Sequence, residues 1–251
     1  MLAMFKRTLT HAAGQLLDVL YPSRCALCDA SLRGGRALCD DCDAGLPRLD
    51  DPFCWHCGQP FFGVVDGDVE CPNCQGHSLG FDFARPVLRR CDEAMDLVHQ
   101  LKYQRRVHVA HELGRLAVEV LDDPRFRNAR AERWVVVPVP LHRARQYQRE
   151  FNQSAEIARA LSAATGLPVR HALRRVRATQ TQTALHRKER FANLKGAFEL
   201  TRDGKRLAAM RPAGVILLDD VLTTGSTLGT CARVLKRAGC RVVAAVAVVR
   251  G

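Results

Sequence analysis

The sequence predicts an α/β protein: a mostly parallel sheet with flanking helices, preceded by a small cysteine-rich module. Three observations carry this expectation. Aliphatic runs at residues 134–137, 215–218 and 241–249 are separated by segments whose apolar residues recur at helical spacing, and strands that alternate with helices build parallel sheets. Eight of the eleven cysteines fall in four C-x-x-C pairs inside fifty residues. Residues 215–227 then set an aliphatic strand, two adjacent carboxylates and a hydroxyl-rich glycine loop in succession, with a helix to follow.

At 251 residues, 47% of them hydrophobic, the chain can hold one ordinary domain and a small one. Only 6% are aromatic, so aliphatic side chains must fill most of the core. No uncharged apolar run is long enough to cross a bilayer. Near the start, Leu9, Leu16, Leu17, Val19 and Leu20 are interrupted by His11, Gln15 and Asp18. That spacing predicts an amphipathic helix over 1–22 rather than a secretory signal. The expected organisation is this helix, a cysteine module over 23–80, and the α/β domain over 81–251. Residues 1–80 carry six Lys or Arg against ten Asp or Glu, and the remainder carries 32 against 16. The basic excess therefore lies with the α/β domain and suits a polyanionic ligand, a diphosphate or a nucleic-acid backbone.

The cysteine pairs are Cys25/Cys28, Cys39/Cys42, Cys54/Cys57 and Cys71/Cys74. Two-residue spacing lets both sulfurs of a knuckle reach one ion at about 2.3 Å, and two knuckles complete a tetrahedron. Eight thiolates make two closed Cys₄ sites, so two structural Zn²⁺ ions are expected, as in a double zinc ribbon. Sequential pairing is the simpler arrangement and cross-braced pairing the alternative. Disulfides suit secreted chains, and an iron–sulfur cluster is the weaker rival. Few large apolar residues lie in this stretch, so it should depend on its metal to fold.

From residue 91 to 121, Met95, Val98 and Leu101, then Leu113, Leu116, Ala117 and Val120, predict two helices with a break near 103–107. Residues 122–133 are charged, contain Pro124, and read as a loop. The strand at 134–137 is ended by Pro138 and Pro140. A helix over 154–165 turns Ile157, Ala158 and Leu161 inward and is closed by Gly166 and Pro168. Residues 170–183 are basic and then polar, and a short helix is expected at 185–194. The strand at 215–218 comes next. Leu228, Cys231, Leu235 and Ala238 mark one face of the following helix, and 241–249 forms the last buried strand.

The stretch after Leu218 has the parts of a sugar-phosphate site. Gly225 can take the positive-φ conformation that turns backbone N–H groups inward. Thr223, Thr224, Ser226 and Thr227 add hydroxyls, and the helix starting there aims its positive end at the same point. Asp219 and Asp220 repel a phosphate but can accept hydrogen bonds from ribose hydroxyls. This run, Asp219-Asp220-Val221-Leu222-Thr223-Thr224-Gly225-Ser226-Thr227, resembles the phosphoribosyl-diphosphate (PRPP) motif of type I phosphoribosyltransferases. A type I phosphoribosyltransferase-like sheet is the fold that resemblance implies.

Two further segments extend the site. The loop leaving the second strand carries His142, Arg143, Arg145 and Arg149, whose guanidinium groups suit a diphosphate. Arg177, Gln182, Arg187, Lys188 and Arg190 lie in a polar, basic stretch that suits a lid over bound diphosphate. With the leading C-x-x-C pairs, the segment VPVPLHRARQYQREFNQ, the spaced pattern from Thr179 to Phe198, and LLDDVLTTGST, the chain resembles the ComF family of double-zinc-ribbon, phosphoribosyltransferase-like proteins. One position departs from it: the family usually has glycine in R-G-F-N-Q, and this chain has Glu150. The resemblance implies PRPP binding with Mg²⁺ and a part in natural competence and single-stranded DNA uptake, alongside a DNA translocase or helicase. Two other functions fit the same parts: transfer of ribose 5-phosphate to an acceptor, with Asp219 and Asp220 catalytic, and a zinc-ribbon adaptor without chemistry. Reduced thiols and the lack of an export signal predict a cytoplasmic protein, peripheral at the inner membrane.

Overall fold

The computed structural model describes residues 23–32, 35–63, 71–76, 78–178 and 193–251. The expected helix over 1–22 lies outside them, as do Gln182, Arg187, Lys188 and Arg190 and most of the short helix at 185–194. The chain divides into two compact units, Met1–Leu46 and Pro47–Gly251. The boundary falls between the second and third cysteine pairs.

In the first unit, Cys25 and Cys28 flank a tight turn, and Cys39 caps helix α1, Asp40–Gly45, by accepting from the Cys42 N–H at 3.4 Å. Arg36 braces that helix through Asp40 and Asp43. Arg24 and Ser31 form an antiparallel bridge across the knuckle.

The second unit is built on four parallel strands. They are β1 (Phe83–Arg89), β2 (Val135–Pro138), β5 (Val215–Leu222) and β6 (Val243–Arg250), arranged β1-β6-β5-β2. The central strands are buried on both faces, which is why β6 reads as a continuous aliphatic run. Helices α2 (Asp92–Tyr103) and α3 (Val107–Val118) follow β1, with the break at residues 104–106 where the sequence placed it. After β2 come α4 (Arg143–Arg149) and α5 (Gln153–Thr165). Asn152 caps α5 through its side chain, and Gly166 ends it in the left-handed conformation. A small antiparallel pair, β3 (Leu173–Arg175) with β4 (Phe198–Leu200), brackets the expected lid segment. Helix α6 (Arg202–Met210) leads into β5, and α7 (Ser226–Arg237) connects β5 to β6.

Several elements differ from the sequence expectation. Strand β1 was not expected, because Arg85, Pro86 and Arg89 break its pattern. It lies at an edge of the sheet, where the missing N–H of Pro86 does least harm. Helix α6 buries only Gly204 and Leu207, too narrow a stripe to read. The stretch 143–149, expected as a loop, is a short helix. The charged stretch 122–133, expected as a loop, contains a 3-10 turn at Pro124–Phe126, and its Phe126 is fully buried, edge-on to Phe83 and Trp134. The strand expected to end at Leu218 continues to Leu222, held by β6 through Asp219↔Ala247 and Leu222↔Arg250.

The third and fourth cysteine pairs belong to this unit's core. Cys57 and Cys71 share one buried cluster with Leu79, Phe81, Leu217, Leu228 and Cys231. On the surface the same region is pinned by cations on rings. Arg125 lies 4.7 Å from the Trp55 centroid and 4.5 Å from that of Phe83, and Arg85 lies 4.6 Å from that of Phe53.

Candidate ribose-phosphate site and zinc tetrads

Two cysteine groups stand as tetrads, Cys25/Cys28/Cys39/Cys42 and Cys54/Cys57/Cys71/Cys74, each with all sulfurs within 4.8 Å of one another. The pairing is therefore sequential and not cross-braced. A tetrahedral ion with 2.3 Å bonds needs sulfurs about 3.8 Å apart. Cys28–Cys39 and Cys54–Cys74 stand at 3.7 Å and Cys57–Cys71 at 3.6 Å. The donor set and spacing fit zinc. The electrostatics agree. Burial opposes charge on Cys25, yet N–H donors of Cys28, Cys39 and Leu27 bring that thiol down to about 6. Burial and the neighbouring Cys57 push Cys71 up to about 11. Four sulfurs this close cannot all ionise without a cation among them.

The hydroxyl–glycine loop begins after Leu222. Val221 and Leu222, expected as part of the phosphate loop, sit inside β5, and Leu222 is buried. Gly225 has φ +79° and caps α7, so a side chain here would be strained. The Thr224 hydroxyl donates to the Ser226 Oγ at 3.1 Å and accepts from the Ser226 N–H at 3.4 Å. No acidic residue stands in the first turn of α7 to offset its positive end. The helix lies hard against Leu79: a Cβ at Gly229 would meet the Leu79 carbonyl oxygen at 1.9 Å.

Asp219 and Asp220 lie just beyond the level where β2 stops, since Pro138 pairs with Leu218. Both are buried, Asp219 at 9% exposure and Asp220 at 4%. The Ser154 hydroxyl donates to Asp219 Oδ1 at 2.8 Å, as does the Asp220 N–H at 3.0 Å. The Lys102 ammonium, at the end of α2, contacts Asp220 Oδ2. Burial and the Asp220 charge push Asp219 up to about 8, against the pull of Ser154 and Lys102. Burial works the same way on Asp220, but Lys102 outweighs it and holds that carboxyl below its usual range. Burial and mutual repulsion thus oppose two charges on the pair, and Lys102 favours the one on Asp220. The sequence reading found neither Lys102 nor Ser154. Both sit at unremarkable helix positions, and only the fold brings them to β5.

Of the expected diphosphate residues, His142 and Arg143 line one cavity, and Arg145 acts on the charge of Arg175 in its wall. His142 caps α4 by accepting from the Ala144 N–H at 3.3 Å. Arg143 lines a cavity of about 600 Å³ with Gln146, Asn152, Glu156, Arg174 and Arg175. Arg149 points elsewhere: it stacks 5.1 Å from the Tyr103 centroid and donates to Gln153 Oε1 at 3.3 Å. Arg145 and Asp219 both act on the charge of half-buried Arg175, a residue the sequence reading did not single out. Glu150, at the departure from the family pattern, has φ +68° and pairs with Arg105 at 2.9 Å. Of the expected lid, Arg177 is described. Its Nη2 donates to the Asn193 carbonyl at 2.6 Å.

The described residues contain no carboxylate cage. Among them the metal-competent groups of three or more are the cysteine tetrads alone.

Fold and site define a class: a zinc-ribbon protein whose parallel α/β unit carries a hydroxyl–glycine loop beside a buried acid pair. Residues 16–75 match the double zinc ribbon domain. Over 227 residues the chain is 33% identical to the DNA utilization protein YhgH of Escherichia coli (strain K12), covering 88% of this chain and 94% of that one. It is 29% identical to competence protein F of Haemophilus influenzae over 218 residues, 86% of this chain and 92% of that protein. With competence protein ComFC of Bacillus subtilis it shares 25% over 237 residues, 86% and 89% of the two chains. The chain belongs to the ComF family.

Proposed function

We propose that this protein binds PRPP or a closely related ribose phosphate and serves in the handling of single-stranded DNA during uptake. The observation that supports ligand binding best is the loop at Gly225, where a left-handed residue, hydroxyl groups and the start of α7 meet at the end of β5. Thr223, Thr224, Ser226 and Thr227 would hold the 5′-phosphate. Asp219 and Asp220 would face the ribose hydroxyls, the protonated carboxyl able to donate and the ionised one to accept. Arg145, with Arg175 beside it, would meet the diphosphate. Mg²⁺ would accompany that group on the ligand's own oxygens.

Holding the ligand is favoured over transfer. A carboxylate that steadies positive charge on a ribose must be electrostatically available, and the Asp220 charge is already matched by Lys102. The role in DNA uptake draws on the relatives' names and on the basic excess after residue 80. A translocase or helicase of the uptake machinery is the protein partner that role implies.

Calorimetry with PRPP and Mg²⁺, on wild type and on Thr224→Val, tests the pocket. Wild type should bind and the variant should lose at least about tenfold in affinity, about 1.4 kcal/mol. Absence of binding to wild type at millimolar PRPP overturns the reading. Titration with labelled single-stranded DNA at rising salt tests the second half, since phosphate contacts make affinity fall steeply with salt.

A further inference from the structure

The second tetrad and the phosphate loop share one buried guanidinium. Arg250 is 3% exposed. Its Nη1 donates to the Leu222 carbonyl at 2.9 Å and to the Thr223 carbonyl at 2.6 Å. Those carbonyls begin the hydroxyl loop. Its Nη2 donates to Gln59 Oε1 at 2.5 Å, and Gln59 belongs to the knuckle, because its carbonyl accepts from the Cys54 N–H at 2.8 Å. The guanidinium also lies in the field of Cys57, Cys71 and Cys74. A planar fork with five donors can bridge two such sites at once, which an ammonium cannot.

A second route joins the same two places. The core cluster that holds Cys57 and Cys71 continues through Leu79 and Phe81. A Cβ at Gly225 would stand 3.3 Å from Leu79 and 3.5 Å from Phe81, and the backbone of α7 rests on Leu79 at Gly229. The loop is thus held from its carbonyl side by Arg250 and from below by the segment that leaves the fourth cysteine pair.

We propose that Arg250 is a positioning residue that couples zinc in the second tetrad to the shape of the ribose-phosphate loop, so that metal and ligand strengthen each other's binding. Zinc fixes the four sulfurs and the Gln59 turn. Those fix the guanidinium, and the guanidinium fixes the Leu222 and Thr223 carbonyls from which the loop departs. The coupling to ligand rests on the reading of the loop given above; the coupling to loop geometry does not. The first tetrad lies in the other unit.

The test uses the full-length, zinc-loaded protein with three single variants: Cys28→Ser in the first tetrad, Cys74→Ser in the second, and Arg250→Lys. Amide exchange over 222–229 is compared with the control strand β2. Zinc affinity of each tetrad is read by equilibrium competition with a chelator, with and without PRPP. Cys74→Ser and Arg250→Lys should speed exchange over 222–229 about tenfold relative to β2, and Cys28→Ser should not. Arg250→Lys should weaken zinc at the second tetrad by about fivefold or more, in the usual range for coupled sites. Saturating PRPP should tighten zinc at the second tetrad and leave the first unchanged, by the factor with which that zinc tightens PRPP. A purely structural arginine would not produce that reciprocity. Unchanged exchange over 222–229 in Arg250→Lys overturns the proposal, and this variant decides if Cys74→Ser does not fold. If wild type binds no PRPP while the exchange and zinc effects appear, the ligand reading fails and the link between zinc and loop stands.

Discussion

Lys102 at the end of α2 neutralises Asp220 on β5, and this pair sets the protonation of Asp219 beside it. The Lys102 side chain is 19% exposed and that of Asp220 6%, so the pair is largely out of water. Removing one partner of such a pair leaves an uncompensated charge, at a cost of about 3–5 kcal/mol. Lys102→Met should therefore destabilise strongly in urea unfolding, and Lys102→Met with Asp220→Asn should recover part of the loss. A double variant no better than the single would show that the two residues do not interact.

The raised Asp219 carboxyl has a signature in pH. Its native value of about 8 lies above the ordinary carboxylate range, so between roughly pH 4 and pH 8 the native state binds more protons than the unfolded chain. Stability from this group is present at low pH and lost as pH rises toward 8. Asp220 acts oppositely: its contribution is present above the ordinary range and lost as pH falls through its depressed native value. Asp219→Asn keeps an acceptor for Ser154 and cannot ionise. It should flatten the decline in stability between pH 5 and pH 9, measured by urea unfolding. An unchanged slope would place the titration elsewhere.

Glu150 adopts a backbone conformation that suits glycine, with φ +68°. A left-handed residue with a side chain costs about 1–2 kcal/mol. Against this stands its exposed contact with Arg105, of a kind that contributes little. Glu150→Gly should raise stability by about 1 kcal/mol, seen as a higher midpoint in urea, while Arg105→Ala should leave it near wild type. A lower midpoint for Glu150→Gly would mean that the carboxylate matters more than the strain.

The first tetrad should behave as a self-contained metal site. Cys28→Ser should remove one equivalent of zinc and expose the amides of 23–46 to exchange, with the sheet protected as in wild type. The basis is that the buried cluster holding the second tetrad includes none of the first tetrad's cysteines. Loss of protection in β5 would contradict it.

How far the sequence was legible follows from burial. Strand β2, β5 as far as Leu218 and β6 as far as Val249 announce themselves because their residues are buried on both faces, leaving no polar position to break those runs. Strand β1 does not, because an edge position tolerates Pro86 and two arginines. The three-residue strands β3 and β4 are too short to show a period. At the site, the Gly225 loop was readable because its chemistry is local: strand, hydroxyls and helix start are contiguous. Lys102, Ser154 and Arg250 were not, since each acts on a partner far along the chain. The arginines of α4 were expected on a loop and stand on a short helix. Read as a loop they could all turn inward, whereas a helix sends Arg143 and Arg149 apart.

The unit that starts at Pro47 retains one cysteine tetrad within its main core. The two halves of the double ribbon are thus not interchangeable modules. A shortened protein lacking the first 46 residues would keep the parallel sheet, its hydroxyl–glycine loop and a single cysteine tetrad, whereas a cut at residue 80 would strip Leu79 from under that loop.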